Sequence, residues 1–249
     1  MHDYQAPPEL LKDKVILVTG ASDGIGRAAA IEYARLGATV ILLARDQNKL
    51  ARVYDHIEGL DYPQPAMIPL DLAVAEATAY QTLANMIERE FGRLDGLLHN
   101  AAVLGPITPL EHYEDGTWDQ VMQVNLRAPF LLTQALLPNL RAAEQASVIF
   151  TSSSVGRHAR AYWGAYAISK AGVESLCQIW SEELARLTRI RFNCINPGAT
   201  LTAMRRSAYP AENPEKLRRP EEILGLYNYL MGADGEHLQG MSLDAQPDL

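Results

Sequence analysis

The chain has 249 residues, 48% hydrophobic and 21% charged, a balance that fits a globular α/β protein with a sizeable core. A formal net charge of −8 without a long basic run argues against nucleic acid as a partner, because phosphate neutralisation needs clustered Lys and Arg. Cys177 and Cys194 have neither metal-ligand spacing nor a CxxC pattern, so both read as small core residues in a reducing compartment, and no metal is expected.

Residues 1–14 hold Asp3, Glu9, Lys12, Asp13 and Lys14 but no apolar core of signal-peptide length. No stretch approaches the roughly 20 apolar residues of a membrane span. The expected location is the cytoplasm, with no membrane partner.

In chain order, the apolar run 15–18 reads as a buried strand and a glycine-rich turn follows it directly. Residues 27–36 read as a helix ended by Gly37, 39–43 as a strand and 47–58 as a helix. Residues 65–70 form the next expected strand, 73–91 a helix stopped by Gly92, and 94–99 a fourth strand. A long helical region over 116–140 contains Pro129 and Pro138, which predict a bend or break. Strand 147–151, helix 165–187 and strand 190–195 come next. Residues 196–219 read as a loop long enough to need a functional reason. A helix over 220–231 and a strand over 241–245 end the pattern. This alternation implies a parallel sheet covered on both faces, one doubly wound domain spanning 1–249.

Gly20-x-x-x-Gly24-x-Gly26 lies between an expected strand and an expected helix, the context of a dinucleotide-binding turn. Its glycines let the backbone approach a pyrophosphate at the positive end of the helix. Ser22, Asp23 and Ile25 lie within the same turn. The second strand ends at Ala44, and Arg45 follows where an acid would bind the ribose of NAD. A guanidinium there favours the 2′-phosphate of NADP over NAD, although the charge of Asp23 runs against it.

Tyr166 and Lys170 sit four apart near the start of an expected helix, so their side chains share a face. A cation beside a phenol lowers a pKa that is otherwise about 10, as a proton-passing tyrosine requires. Taken alone, the pair is an aromatic and a lysine on an ordinary amphipathic helix.

The glycine turn, Asp71-Leu72, His99-Asn100-Ala101-Ala102, Asn125, serines 152–154, Tyr166-x-x-x-Lys170 and Pro197-Gly198 come in an order that resembles the short-chain dehydrogenase/reductase family. The likeness covers nearly the whole chain. Through runs 19–26, 150–157, 163–166, 193–198 and 244–247 it is most similar to the bacterial YciK-type oxidoreductases. The resemblance implies a Rossmann-like fold of about seven strands. It implies Tyr166 as general acid/base, Lys170 as the group that tunes it and holds the nicotinamide ribose, and Ser153, with Ser154 as alternative, on the substrate oxygen. Asn125 would anchor a water of the proton relay. Asp71 and Leu72 would meet the adenine, Asn100 and Ala101 would lie along the cofactor, and Pro197, Gly198, Thr200 and Thr202 would face the nicotinamide side.

The implied activity is NADP(H)-dependent hydride transfer between nicotinamide and a small carbonyl or alcohol, with 196–219 as the substrate loop and the chain assembled as a homodimer or homotetramer. A non-catalytic NADP(H) sensor or an interaction protein on the same fold is the alternative. Two departures stand out: Ala102 replaces a family glycine, and His99 replaces an asparagine, where it reads as a packed strand-end residue. Ser242-Leu-Asp-Ala245 also lacks the family's common trailing glycines. Arg157, His158 and Arg160, with Arg205 and Arg206, would favour an anionic substrate if they faced the pocket; two solvated basic patches are the plainer reading.

Overall fold

A computed structural model describes residues 3–246; of the stretches read above, residues 1–2 and 247–249 lie outside them. Seven parallel strands form one sheet in the order β3-β2-β1-β4-β5-β6-β7. They are β1 (Val15–Thr19), β2 (Thr39–Ala44), β3 (Ala66–Pro69), β4 (Gly96–His99), β5 (Ala146–Thr151), β6 (Ile190–Asn196) and β7 (Ser242–Asp244). Between and after the strands come α1 (Gly24–Arg35), α2 (Gln47–Glu58), α3 (Ala77–Phe91), α4 (Asp115–Met122) and α5 (Ala128–Ala142). The short α6 (Ser154–Arg157), the long α7 (Gly164–Leu184), α8 (Ala203–Ala208) and α9 (Leu224–Met231) complete the helices.

Strand periodicity divides the core into two layers. Ile16, Val18, Val40 and Leu42 pack with α1, α2 and α9 on one face. Leu17, Ile41, Leu43, Val148 and Phe192 pack with α3, α5 and α7 on the other. Both faces are covered, so the strands read as unbroken apolar runs. The chain reverses its winding direction between β1 and β4, the first strand pair joined out of sequence order. A doubly wound sheet opens its ligand crevice beside that switch point, at the carboxyl ends of the strands.

Several boundaries differ from the sequence expectation: α9 starts at 224 after a 3-10 turn over 220–223, α7 ends at 184 rather than 187, and four differences nearer the site stand out. Helix α1 starts at Gly24 rather than Arg27, because Asp23 caps it by accepting from the Gly24 N–H at 2.7 Å. Helix α3 starts at 77 rather than 73, because the Asp71 carboxylate and carbonyl hold residues 73–75 in a turn. The region 116–140 is interrupted at neither proline but over Gln123–Arg127, a wide turn in which the Ala128 N–H reaches back to the Gln123 carbonyl. Residues 196–219 are not a plain loop: they contain α8, capped by Thr202, and their ends meet where Leu201 N donates to Arg218 O at 2.8 Å.

Candidate active site

One cavity of about 820 Å³ lies across the carboxyl ends of β1 to β6, within the ~300–1,000 Å³ usual for small-molecule sites. Gly20, Ser22, Asp23, Gly24, Ile25, Arg45, Asp71, Leu72, Asn100 and Ala101 line it from the β1–β4 side. Ser153, Tyr166, Lys170, Pro197, Gly198, Thr200 and Thr202 line it from the β5–β6 side. Two expected residues do not reach it. Gly26 is buried behind the turn, where a Cβ would collide with the Gly20 carbonyl and the Asn100 amide. Asn125 is buried on the wide turn, its amide committed on three sides: it accepts from Val103 N at 2.8 Å and donates to Val103 O at 2.9 Å and Ser169 Oγ at 3.1 Å. Ser169 in turn donates to the Tyr166 carbonyl at 2.8 Å, which ties the 101–103 wall to the start of α7.

The glycine turn is shaped for close approach. Gly20 has φ +68°, and a Cβ on it would lie 2.9 Å from Ala101 Cα. Thr19 Oγ1 accepts from both Asn100 N and Ala101 N, at 3.0 and 3.1 Å, and so fixes the β4 exit against the turn. Thr202 approaches Gly24 closely enough that a Cβ there would sit 3.3 Å from its methyl group. The Ala102 methyl lines the cavity, beside the cofactor path the resemblance implies.

At the end of β2, Arg45 is exposed and has no ion pair among the described residues. Lys49, one helical turn further on, also lines the cavity and pairs with Asp23 at 3.2 Å. The Asp23 charge, which ran against a 2′-phosphate in the sequence, is thus offset by Lys49, a residue whose i+4 relation to Arg45 was legible there. Phosphate-matching cations at β2, a glycine cradle too tight for Cβ atoms, and a buried Ser152 hydroxyl without a protein partner together fit a nicotinamide dinucleotide.

Strand β5 ends on Thr151 and delivers Ser152 and Ser153, while α7 carries Tyr166 and Lys170 on one face. Lys170 Nζ lies 5.7 Å from the Tyr166 ring centroid and donates to Thr151 O at 2.7 Å. Both side chains are buried. The expected lowering of the tyrosine pKa is not what this geometry produces. Burial pushes Tyr166 up to about 12, and the Ser153 hydroxyl offsets only part of the rise. Burial also brings Lys170 down to about 8, opposed by Cys194 and Glu174. The two side chains share a face as expected, with the lysine nitrogen over the tyrosine ring and bonded to the Thr151 carbonyl, but burial governs the phenol. His99 is held neutral near 3 by burial and by Lys170; it bonds Thr133 Oγ1 at 2.8 Å and stacks on Phe150, as a packed strand-end residue.

The five basic residues separate. Arg157 is tied to β7 through Asp244 at 2.8 Å, Ser242 at 2.9 Å and the Leu243 carbonyl at 3.1 Å. His158 and Arg206 are exposed and outside the cavity lining. Arg205 lines the cavity but is locked to Glu212, and Arg160 lines it with no ion pair among the described residues. Trp163 and Tyr209, given no role from the sequence, also line it. Among the described residues no group of three or more His, Cys, Asp or Glu gathers to hold a metal, and no helix is long and apolar enough to cross a membrane.

Residues 14–213 match the family model described as short chain dehydrogenase. The oxidoreductase YciK of Escherichia coli K12 is 52% identical over 247 residues, covering 99% of this chain and 97% of that protein. A short chain dehydrogenase of Shigella flexneri 2a complexed with NADP is 51% identical with TM-score 0.94, covering 97% of this chain and 100% of that one. Another from Escherichia coli CFT073, complexed with NADPH, is 52% identical with TM-score 0.94 and the same coverage.

Proposed function

The chain belongs to the short chain dehydrogenase family, and from that premise we propose that it is an NADP(H)-dependent oxidoreductase acting on a carbonyl or alcohol, with Tyr166 as general acid/base. The observation that carries this reading is the convergence of Ser153, Tyr166 and Lys170 on the same cavity as the glycine turn and Arg45. When bound, nicotinamide supplies or accepts the hydride. The NADP and NADPH complexes of the two relatives support the choice of cofactor, and so do the cations at β2.

Arg45 and Lys49 hold the 2′-phosphate. Asp71 and Leu72 flank the adenine end, Asn100 and Ala101 the middle, and Pro197, Gly198, Thr200 and Thr202 the nicotinamide end. Ser153 Oγ hydrogen-bonds the substrate oxygen and orients it toward Tyr166 Oη, which gives up its proton in reduction and takes one in oxidation. Lys170 keeps positive charge beside the phenol and directs one N–H at Thr151 O. Asn125 anchors a water through its backbone. Pro129 has no N–H for the carbonyl four residues before it, and the Asn125 amide is already committed. Any preference for an anionic substrate falls to Arg160, since Arg157 and Arg205 are paired.

Residues 196–219 form the substrate side of the site, and we place the enzyme in the cytoplasm as a homodimer or homotetramer. The α5–α7 face, where Phe130 and Ile179 are exposed beside Leu126, supports assembly, with a solution mass two or four times 27.5 kDa. Cofactor choice is tested by binding: native protein should hold NADPH roughly tenfold or more tighter than NADH, and Arg45→Ala should erase most of that gap. Equal affinity of the native protein for both cofactors contradicts the NADP assignment.

A further inference from the structure

Around Tyr166 the cavity wall is aromatic. The Trp163 ring centroid lies 5.7 Å from Tyr166 with planes at 52°, and 5.9 Å from Tyr209 with planes at 43°. Met204 and Leu104 pack with Trp163 against Val155 and Tyr166, and all of them line the cavity. Tyr209 lies just past the end of α8, so the helix ladder alone does not fix its ring. A separate device does. The Arg205 guanidinium carbon sits 4.0 Å from the centre of the Tyr209 ring, and its fork is filled by Glu212, both N–H···O distances being 2.6 Å. Bidentate pairing fixes the plane of the guanidinium, and the guanidinium in turn seats the ring.

With its fork on Glu212 and one face on Tyr209, Arg205 does not serve as an anion reader. Tilted rings about 4.5–7 Å apart leave faces and edges for a further ring, while a saturated group of the same size gains only its buried area. Met204 adapts to the remaining gap. We propose that the site selects substrates whose reacting carbonyl or carbinol carbon is attached to a flat aromatic body, with Trp163 and Tyr209 as the specificity-determining pair and Arg205 and Glu212 as positioning residues for the Tyr209 ring. This rests on the oxidoreductase reading and adds the class of substrate to it.

Acetophenone and cyclohexyl methyl ketone, equal in carbon count and differing in the flat ring, are the probes. The native enzyme with NADPH should prefer acetophenone in kcat/KM by roughly three- to tenfold, the range of one or two ring contacts. Tyr209→Leu should remove the preference and Tyr209→Phe should keep it. Glu212→Ala, outside the cavity lining, should reduce it through KM, with NADPH affinity and thermal midpoint reporting that the fold is intact. Binding of both ketones to the NADP⁺ complex, followed by saturation-transfer NMR, measures the same preference without turnover. Selective acetophenone binding lost in Tyr209→Leu, but with no reduction of either ketone, would uphold the aromatic site and sink the oxidoreductase reading. Turnover of both ketones at equal kcat/KM, or a preference that survives Tyr209→Leu, would overturn the aromatic site and leave the oxidoreductase reading standing.

Discussion

Tyr166 and Lys170 show what a residue-level reading reaches. Their spacing, and the serine thirteen positions before the tyrosine, were legible in the chain, and the structure brings all three to one cavity. The sign of the tyrosine shift was not legible, because it depends on burial and on where the lysine chain ends. A phenol held up to about 12 is protonated at neutral pH and ready to act as an acid. The ionised form needed for alcohol oxidation is scarce and grows about tenfold per pH unit below that value. Oxidation should therefore climb about tenfold per pH unit up to about pH 8 and level off above it, where Lys170 loses the charge that favours the phenolate. Reduction should hold level to about pH 8, where Lys170 begins to lose its proton, and decline above it. Paired pH profiles of kcat/KM check this; an oxidation profile flat across the range contradicts it.

At the scale of elements, the strands and most helices could be read because continuous apolar runs and helical periodicity mark them plainly. Three of the missed boundaries share one cause: a side chain acting on backbone outside the periodic pattern. Asp23 starts α1 among glycines, Asp71 delays α3, and Thr202 starts α8 inside an expected loop. Pro129 drew attention to the right helix, yet the break lies just before it, on the turn that carries Asn125. Trp163 and Tyr209 escaped because their roles arise from rings that meet across two separate elements.

The glycine turn offers a test of space against backbone conformation. Gly26→Ala places a methyl group on the Gly20 carbonyl and the Asn100 amide, so it should lower stability by ~1–3 kcal/mol and abolish NADPH binding. Gly92→Ala has nothing within 4 Å but φ +75°, and should lower stability by only ~1 kcal/mol with NADPH binding unchanged. Calorimetric melting and NADPH titration distinguish the two. A Gly26→Ala protein that binds NADPH like the native one contradicts the tight cradle.

For the whole molecule, the order β3-β2-β1-β4-β5-β6-β7 explains why residues scattered from Gly20 to Thr202 face one crevice. Each expected site residue comes at or just after the carboxyl end of a strand, or on a helix packed beside it. Alternation of strands and helices predicts this edge without any side-chain detail. What alternation leaves open is which substrate enters, since walls of the crevice come from segments 101–104, 160–163 and 196–209, whose shapes depend on contacts such as Arg205 with Glu212. The central claim is that these parts form a proton-coupled hydride-transfer site with Tyr166 as its acid. NADPH consumption across a panel of ketones, aldehydes and quinones, run beside NADPH titration on native protein and Tyr166→Phe, tests it most directly. The account predicts that Tyr166→Phe loses at least roughly a hundredfold in turnover and keeps its NADPH affinity within about twofold; turnover undiminished in Tyr166→Phe would contradict it.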